Sequence, residues 1–300
     1  MTPKTIWMDG ELVSWDDATV HVTTFGLHYG IGFIEGVRCH SSPGGPVIFR
    51  LTDHLQRLRR SAAIHGYDLP YSVEEMAHAC RSVVTANDLT DCYLRPIVFL
   101  GDGEDPFTAR FRAAVIATSH GPTPDHPPDE GARAQISSFE RTSANSMPPA
   151  AKATGQYLNA FLARAEAARN GCDEAILLNN NGFVTEGWAH NIFVLLDRTL
   201  ITPPVSAGAL AGITRDTIMI LAREAGLTVT VQNLIRSDLY LADECFVTGT
   251  AVGVVPLISV DGRTVGTGRP GPVTTELIRQ LSAVMHGLTS AHPEWRESAA

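Results

Sequence analysis

The sequence predicts a two-domain α+β protein, and three observations support this class. With 300 residues, of which 44% are hydrophobic and 18% charged, the chain is long enough to bury two cores. Short apolar strands come in groups separated by helices, without a strict β-α-β order. Prolines from Pro122 to Pro128 interrupt regular structure near the middle. We therefore expect a smaller domain over residues 1–120, a linker over 121–131 and a larger domain over 132–300.

The smaller domain is predicted to open with short strands around an Asp9-Gly10 hairpin turn. Two helices follow, the first from about Thr52 to Ile64. The second begins at Ser72, because Glu75 three residues later completes a capping box. Two apolar strands, Tyr93 to Leu100 and Phe111 to Thr118, end this α+β unit.

The larger domain is predicted to contain a strand near Ala134 to Phe139, followed by a helix. Strands between Ala175 and Leu196 read as an antiparallel meander around an Asn-Asn-Gly turn. We expect the tail from Thr289 onward to be frayed. The remaining signals are four apolar residues at helical spacing (Leu158, Phe161, Leu162 and Ala165), helices near Thr214 to Ala225 and Val273 to Leu288, and strands near Val229 to Val231, Cys245 to Val247 and Leu257 to Val260.

Composition narrows the classes of partner. The formal charge is −9 and basic residues form no run, which argues against nucleic acid and anionic membranes and favours a small-molecule ligand. We expect neither an export signal nor a membrane span. The cysteines are five, widely spaced and outside any metal-ligand pattern, which is typical of free thiols in a reducing cytoplasm. The histidines likewise show no ligand spacing, so no metal is expected.

Lysine is rare in this chain: Lys4 and Lys152 are the only two among 23 basic residues. A lysine amine condenses readily with a carbonyl, whereas a guanidinium stays protonated. Lys152 is therefore a candidate Schiff-base lysine. The alternative is an ordinary surface lysine in an arginine-biased composition.

Further residues suit an aldehyde-bearing, phosphorylated cofactor, although each also has a structural interpretation. Tyr157 follows Lys152 by five residues at a helix start, yet could be a core tyrosine. Glu186, beside a glycine at a strand end, could approach a ring nitrogen or be a loop acid. Thr214 and Thr250 lie in segments that offer hydroxyls and backbone N–H groups to a phosphate, but both segments are also compatible with a plain helix start and a tight turn.

In their order along the chain and in their residue identities, these segments resemble fold type IV pyridoxal-phosphate aminotransferases, specifically branched-chain amino acid aminotransferases. The resemblance spans nearly the whole chain and is carried by Leu27-His28-Tyr29-Gly30, Phe33-Ile34-Glu35-Gly36-Val37-Arg38, His54-Leu55-Gln56-Arg57-Leu58, Tyr93-Leu94-Arg95-Pro96, Ala151-Lys152-Ala153, Gly212-Ile213-Thr214-Arg215-Asp216 and Gly249-Thr250-Ala251. It implies a D-amino acid aminotransferase-like fold, with a small α+β domain and a larger domain built on a mixed, barrel-like sheet.

The resemblance also implies a site and an activity: cytoplasmic transamination between a branched-chain L-amino acid and 2-oxoglutarate, as in amino-acid biosynthesis. Lys152 would form the Schiff base with pyridoxal 5'-phosphate. Tyr29 would reach the neighbouring subunit's site, which implies a homodimer or an assembly of dimers. The implied cofactor contacts are Arg57, Tyr157, Glu186, Leu210, Ile213, Thr214 and Thr250, and the implied substrate contacts are Tyr29, Ile34, Gly36, Arg38, Tyr93, Arg95 and Ala251.

The chain departs from the family pattern at positions that bear on substrate choice. Trp188 and His190 replace small and acidic residues after Glu186, Ile34 replaces an aromatic residue, and His120 stands where the family usually has tryptophan. His120 is a candidate pocket residue or a solvated loop histidine. These departures keep open a same-fold transaminase for D-amino acids or (R)-amines, or an aminodeoxychorismate lyase. A cofactor-free binding protein and a metal-dependent enzyme are the alternatives from other classes.

Overall fold

The structure of the protein is a computed structural model that describes residues 4–119 and 130–299. The helices are α1 (Phe25–Tyr29), α2 (Leu51–Ile64), α3 (Val73–Ala86), α4 (Tyr157–Arg169), α5 (Ile213–Glu224), α6 (Arg236–Tyr240) and α7 (Pro272–Met285). Short 3₁₀ turns occupy Thr154–Gln156, Val205–Ala207 and Pro293–Trp295.

The strands follow in chain order. They are β1 (Thr5–Met8), β2 (Glu11–Ser14), β3 (Gly32–Ile34), β4 (Val37–His40), β5 (Val47–Phe49), β6 (Cys92–Leu100), β7 (Phe111–Thr118), β8 (Ala132–Ile136), β9 (Glu174–Leu178), β10 (Val184–Gly187), β11 (Asn191–Leu196), β12 (Thr199–Thr202), β13 (Thr228–Val231), β14 (Glu244–Gly249), β15 (Gly253–Val260), β16 (Arg263–Thr264) and β17 (Arg296–Ser298).

The chain forms two compact units. The first contains the described part of Met1–Pro122 together with Ala151–Gly155 and Ala283–Ala300, and the second contains the described part of Thr123–Ala150 and Gln156–Ser282. The sequence-based division differs, because it assigned the Lys152 segment and the C-terminus to the larger domain. Both segments pack on the first unit through backbone hydrogen bonds, a long-range pairing that local patterns do not reveal. The predicted linker lies almost entirely outside the described residues.

The first unit is one antiparallel sheet covered by helices α2 and α3. Its strand order is β17-β5-β4-β6-β7-β1-β2, with β3 also paired to β6. The predicted capping box is present, since the Ser72 hydroxyl accepts from Glu75 N–H and the Glu75 carboxylate accepts from Ser72 N–H. The apolar faces of both helices, including Leu55, Leu58 and Val83, are fully buried on the sheet.

The predicted frayed tail is wrong. Strand β17 pairs with β5, and Trp295 is buried edge-on against Phe49 with ring centroids 6.0 Å apart. The backbone N–H of Arg50 donates to Trp295 C=O at 2.7 Å. A buried tryptophan and a strand pairing hold a tail that its polar composition suggested was loose.

The second unit is built on a mixed sheet in the order β10-β9-β8-β15-β14-β11-β12-β13, with β16 paired to β15. The pairs β8/β9, β8/β15 and β12/β13 are parallel, whereas the others are antiparallel. The predicted meander is only partly correct, because β10 and β11 are not paired in the sheet. Instead β11 pairs with β14, far away in sequence.

Helix α4 forms where the apolar spacing predicted it, but its buried face is different. Ala160, Ala163 and Ala167 are buried, whereas Leu158 is 76% exposed and Phe161 is 59% exposed. Small alanines allow the helix to lie close to β9, and the larger residues point outward. Within the described residues, no helix is both long and apolar enough to cross a membrane.

Candidate active site

Lys152 is held in the first unit by its backbone. Its N–H donates to the Ser61 hydroxyl at 2.9 Å, and its C=O accepts from Ile34 N–H at 3.1 Å. The next residue, Ala153, forms an antiparallel bridge with Phe33. The lysine therefore sits on a fixed backbone against β3 and α2, with a half-buried side chain. That placement favours a positioned amine over a mobile surface lysine.

Arg57 on α2 lies in a buried ionic cluster. Its Nε and Nη2 donate to the two oxygens of Glu35 at 2.7 Å each, and His54 Nδ1 lies 2.7 Å from the same carboxylate. Burial acts to raise the pKa of Glu35, but the charge and hydrogen bonds of Arg57 and His54 hold it well below its usual range. Burial lowers the pKa of His54 more than Glu35 raises it. The carboxylate therefore orients the guanidinium of Arg57.

Sequence reasoning missed Glu35 as a functional residue, although it stood inside a segment used for the resemblance. The signal was available: a glutamate within the apolar run Gly32 to Val37 must find a partner when it is buried. The sequence could not identify the partner of Glu35. The connection from Glu35 to α2 is long enough for the helix to present either of its faces to this carboxylate.

Tyr93 and Arg95 lie side by side on one face of β6. Arg95 Nη2 donates to the Tyr93 hydroxyl at 2.8 Å, and its guanidinium carbon lies 5.1 Å from the Tyr93 ring centroid. Arg38 on β4 is directly opposite Tyr93 in the strand register. Any side chain on Gly36 would clash with the Tyr93 hydroxyl. The structure thus brings together four of the predicted substrate residues.

The other predicted substrate residues of this unit are more scattered. Ile34 is buried on β3, opposite Ile97. Tyr29 ends the short helix α1 and is 62% exposed, with its ring stacked near Phe25. His120 lies outside the described residues.

In the second unit, Glu186 is a buried carboxylate on β10. Its Oε2 accepts from Leu210 N–H at 2.9 Å and from Asn191 Nδ2 at 3.3 Å, while Arg141 Nη2 lies 2.9 Å from Oε1. The pairing of β10 with β9 is irregular between Val184 and Glu186, and such an irregularity re-aims a side chain. Three donors fix the carboxylate, which can accept about four hydrogen bonds.

Arg141 and Asn191 were not among the predicted site residues. Arg141 also donates to Gln156 Oε1 at 3.2 Å and to Gly208 C=O at 3.3 Å, and Asn191 donates to Leu210 C=O at 2.9 Å. Asn191 is the asparagine that ends the family pattern after Glu186, so it could have been identified from that motif. Arg141 lies in an irregular segment without a motif, and only the structure brings it to Glu186.

Three of the predicted phosphate-binding residues, Ile213, Thr214 and Thr250, meet at the start of α5. Gly212 caps this helix, and a glycine has no side chain to satisfy the N–H groups of the first turn. The hydroxyls of Thr214 and Thr250 lie 3.4 Å apart, so the loop after β14 joins the helix start. A helix N-terminus with two hydroxyls suits a phosphate dianion. Ile213 supplies the first helical N–H.

Two of the remaining predicted contacts in this unit adjoin these groups. Leu210 donates its N–H to Glu186 and is half-buried, and Ala251 follows Thr250. The third, Tyr157, opens α4. Arg215, in contrast, is structural: its guanidinium donates to the Thr202 hydroxyl and to Pro203 C=O, each at 3.0 Å.

Trp188 and His190, the two departures from the family pattern after Glu186, both contact Glu174. His190 Nδ1 lies 2.7 Å from a Glu174 oxygen, and Trp188 N–H donates to the other oxygen at 3.1 Å. The Trp188 ring meets Phe161 of α4 edge-on, with centroids 5.6 Å apart. A Cβ added to Gly249 would lie 3.0 Å from His190, so this histidine borders the loop that carries Thr250.

These groups suit the cofactor that the resemblance implied. The second unit offers a fixed buried carboxylate for a ring nitrogen and a hydroxyl-lined helix start for a phosphate. The first unit offers a positioned amine and an oriented guanidinium. The groups within each unit therefore match what pyridoxal 5'-phosphate needs, as expected of an aminotransferase of the fold type IV class.

Comparison with known proteins agrees with this class. The sequence model of the family described as amino-transferase class IV matches residues 32–260. That match covers most of the chain, and the protein belongs to this family. The expectations of a class IV aminotransferase and of its fold are confirmed.

Individual relatives are similar over their full length. The chain is 43% identical to the branched-chain-amino-acid aminotransferase of Escherichia coli (strain K12) over 97% of this chain and 96% of the relative. It matches the crystal structure of an E. coli branched-chain amino acid aminotransferase with a TM-score of 0.96, 41% identity and coverage of 99% and 100%. The enzyme of the same name from Thermobaculum terrenum, solved in its PLP-form, matches with a TM-score of 0.93 and 32% identity over 100% of this chain and 99% of that one.

Proposed function

We propose that this protein transfers the amino group of a branched-chain L-amino acid to 2-oxoglutarate with pyridoxal 5'-phosphate as cofactor. The observation that carries the proposal is the presence, in one unit, of a buried carboxylate at Glu186 and of the Thr214 and Thr250 hydroxyls at a helix start. An acid for a ring nitrogen and a cup for a phosphate are the two recognition elements that this cofactor needs. The names of the relatives support the same activity.

The bound cofactor supplies an aldehyde and a protonated ring that accepts electron density from the substrate α-carbon. Lys152 would hold the cofactor through its amine, and the free amine would accept the proton that leaves the substrate α-carbon. Glu186 holds the proton on the ring nitrogen, because an opposite charge in a desolvated site favours the cationic form. Leu210 would pack on the ring face, and Tyr157 would contact the ring hydroxyl.

Phosphate binding is assigned to Ile213, Thr214 and Thr250, together with Arg57. The first three offer N–H and hydroxyl donors at the positive end of α5. Arg57 adds a permanent positive charge, oriented by Glu35.

Substrate recognition is assigned to Tyr29, Ile34, Gly36, Arg38, Tyr93, Arg95 and Ala251. Arg95 would bind the distal carboxylate of glutamate or 2-oxoglutarate, and its bond to the Tyr93 hydroxyl fixes the direction of the guanidinium. Ile34 would contribute apolar surface for a branched side chain. Gly36 leaves room for the Tyr93 hydroxyl, because a Cβ at this position would clash with it. His120 is also proposed as a residue of the substrate pocket.

The proposal includes a cytoplasmic homodimer or an assembly of dimers. An exposed tyrosine at position 29, next to the exposed Leu27, is suited to contact a second subunit. All five cysteines are free thiols, as is typical of a reducing compartment.

A panel of amino donors tests the substrate assignment. The purified holoenzyme is incubated with 2-oxoglutarate and each of L-leucine, L-valine, L-isoleucine, D-alanine and an (R)-amine, and glutamate formation is measured. We expect turnover with the three branched L-amino acids and little with the other donors. Preference for D-alanine or the (R)-amine would replace the proposal with another activity of the same fold.

A further inference from the structure

Two histidines and one aspartate from distant parts of the sequence meet in the first unit, at the end of β4. His40 ends β4, and the register that pairs Cys39 with Cys92 places His40 beside Asp91, the residue just before the neighbouring strand β6. His286 comes from the segment just after α7. One ligand-capable atom of each of the three residues lies within 4.8 Å of the other two. None of the three has a role in the proposed transamination.

His40 is a buried histidine with unusual surroundings. It is 3% exposed, and neither ring nitrogen has a hydrogen-bond partner among the residues that the structure describes. A histidine binds a metal through the lone pair of a ring nitrogen, so this buried ring can supply a ligand. Leaving both nitrogens unsatisfied would be costly.

The other two residues are oriented by Ser41, which follows His40. His286 Nδ1 lies 3.1 Å from Ser41 C=O, and because a carbonyl only accepts, Nδ1 is the donor of this bond; in the neutral ring the lone pair is then on Nε2. Ser41 N–H donates to Asp91 Oδ1 at 3.2 Å. A histidine whose other nitrogen donates to a carbonyl is the usual arrangement around a bound metal.

We propose that His40, Asp91 and His286 bind one divalent transition-metal ion, with zinc the best match. Imidazole and carboxylate ligands suit zinc, and sites with three protein ligands complete the sphere with water. Ligands at about 2.0–2.2 Å from one ion lie roughly 3.3 Å apart, so the side chains draw together on binding. The positive charge of the nearby Arg38 disfavours a cation at this site. The negative charge of the Asp91 carboxylate offsets that effect.

The competing interpretation needs no metal. The rings of His40 and His286 are 4.7 Å apart at 64°, an edge-to-face contact that could simply hold the C-terminal segment on the sheet. The sequence alone could not decide, since these ligands are separated by about 50 and nearly 200 residues and form no spacing pattern.

Calorimetry with Zn²⁺ separates the two interpretations. The holoenzyme is treated with EDTA, dialysed and titrated, alongside His286→Gln, Asp91→Asn and the control His78→Gln, which changes an exposed histidine of the same unit. We expect one saturable equivalent in the unsubstituted protein and in the control. Each ligand variant should bind at least about tenfold more weakly, since even losing a residue that only supports a ligand has an effect of this size.

The variants decide, because cysteine thiols and the cofactor phosphate also bind zinc. Absence of saturable binding, or equal binding by all four proteins, would overturn the proposal and leave the ring-packing interpretation. A Co²⁺ titration of the unsubstituted holoenzyme gives a check that does not depend on folding of a variant. Weak ligand-field bands are expected from nitrogen and oxygen ligands, whereas an intense sulfur-to-metal band would place the ion on cysteine and equally reject the site.

Discussion

Glu186 illustrates what a sequence conveys at the scale of one residue. Its place beside a glycine at a strand end suggested that it approaches a ring nitrogen, and the structure shows it in a buried hydrogen-bond network. The three groups that fix it come from an irregular segment, from β11 and from the loop before α5. Such convergence depends on tertiary packing and cannot be predicted from local pattern.

The role of Glu186 leads to a first prediction. Glu186→Gln should keep the cofactor bound but reduce single-turnover transamination by on the order of 10²-fold or more, because a neutral amide cannot hold the ring-nitrogen proton as a carboxylate does. Stopped-flow absorbance of one half-reaction measures this. The matched control is Glu174→Gln, which changes an equally buried glutamate of the same unit that contacts His190. Near-normal rates in the Glu186 variant would exclude it as the nitrogen's partner.

Arg95 permits a second prediction about dual substrate recognition. Losing a charged hydrogen bond costs about 1.5–3 kcal/mol, so Arg95→Ala should lower kcat/KM for glutamate and 2-oxoglutarate roughly ten- to a hundredfold. Leucine and valine should be far less affected. Arg112→Ala, which removes an arginine from the adjacent strand β7, serves as control. Equal losses for acidic and apolar substrates, measured in separate half-reactions, would instead indicate that Arg95 is structural.

At the scale of elements, helical periodicity and capping signals predicted well, whereas pairing between distant strands did not. The capping box at Ser72 and the strand Phe111–Thr118 match the predictions closely. The pairing of β11 with β14 and of β17 with β5 were missed, because strand partners far apart leave no local trace. Helix α4 shows a further limit: spacing identified the helix, but small alanines decided which face packs.

The contact of α2 with Glu35 gives a third prediction, on acid stability. The native pKa of Glu35 is well below its unfolded value, so the unfolded state takes up a proton first as the pH falls. The stabilisation by ionised Glu35 is thus fully present above about pH 4.5 and decreases below it. The pKa of His54 is also lowered, which adds a loss of stability below about pH 6.5.

Thermal unfolding of Glu35→Gln between pH 7 and pH 3 tests this linkage. The variant should unfold at a lower temperature at pH 7, because Arg57 keeps a buried charge without its carboxylate. Its unfolding temperature should then fall less steeply than that of the unsubstituted protein below about pH 4.5. Parallel curves throughout would show that the carboxylate is not the source of acid sensitivity.

At the scale of the whole molecule, an ordered set of short segments identified the family, and full-length similarity confirmed it. Composition alone could not have done so. Sequence order assigned Lys152 to the larger domain, whereas in the structure this residue packs on the first unit. Only long-range hydrogen bonds determine that placement.

The proposed sharing of Tyr29 between subunits gives a fourth prediction. Tyr29→Ala and Lys152→Ala variants should each be weak or inactive alone. If Tyr29 acts in the neighbouring subunit, unfolding and refolding the two variants together creates mixed dimers in which one site has both residues, and activity returns to up to about a quarter of the unsubstituted level, with half of the dimers mixed and one of two sites intact. Activity no greater than the sum of the two separate variants would mean that Tyr29 acts within its own subunit or not at all.

The central claim is that Lys152 carries the cofactor. Reducing the holoenzyme with borohydride fixes the cofactor to its lysine, and peptide mass spectrometry then locates the adduct. We predict a phosphopyridoxyl group on the peptide containing Lys152, absent from Lys152→Ala and unchanged in Lys4→Ala, which alters the only other lysine. An adduct on Lys4 or on the terminal amine, or no adduct in the cofactor-loaded protein, would contradict the account.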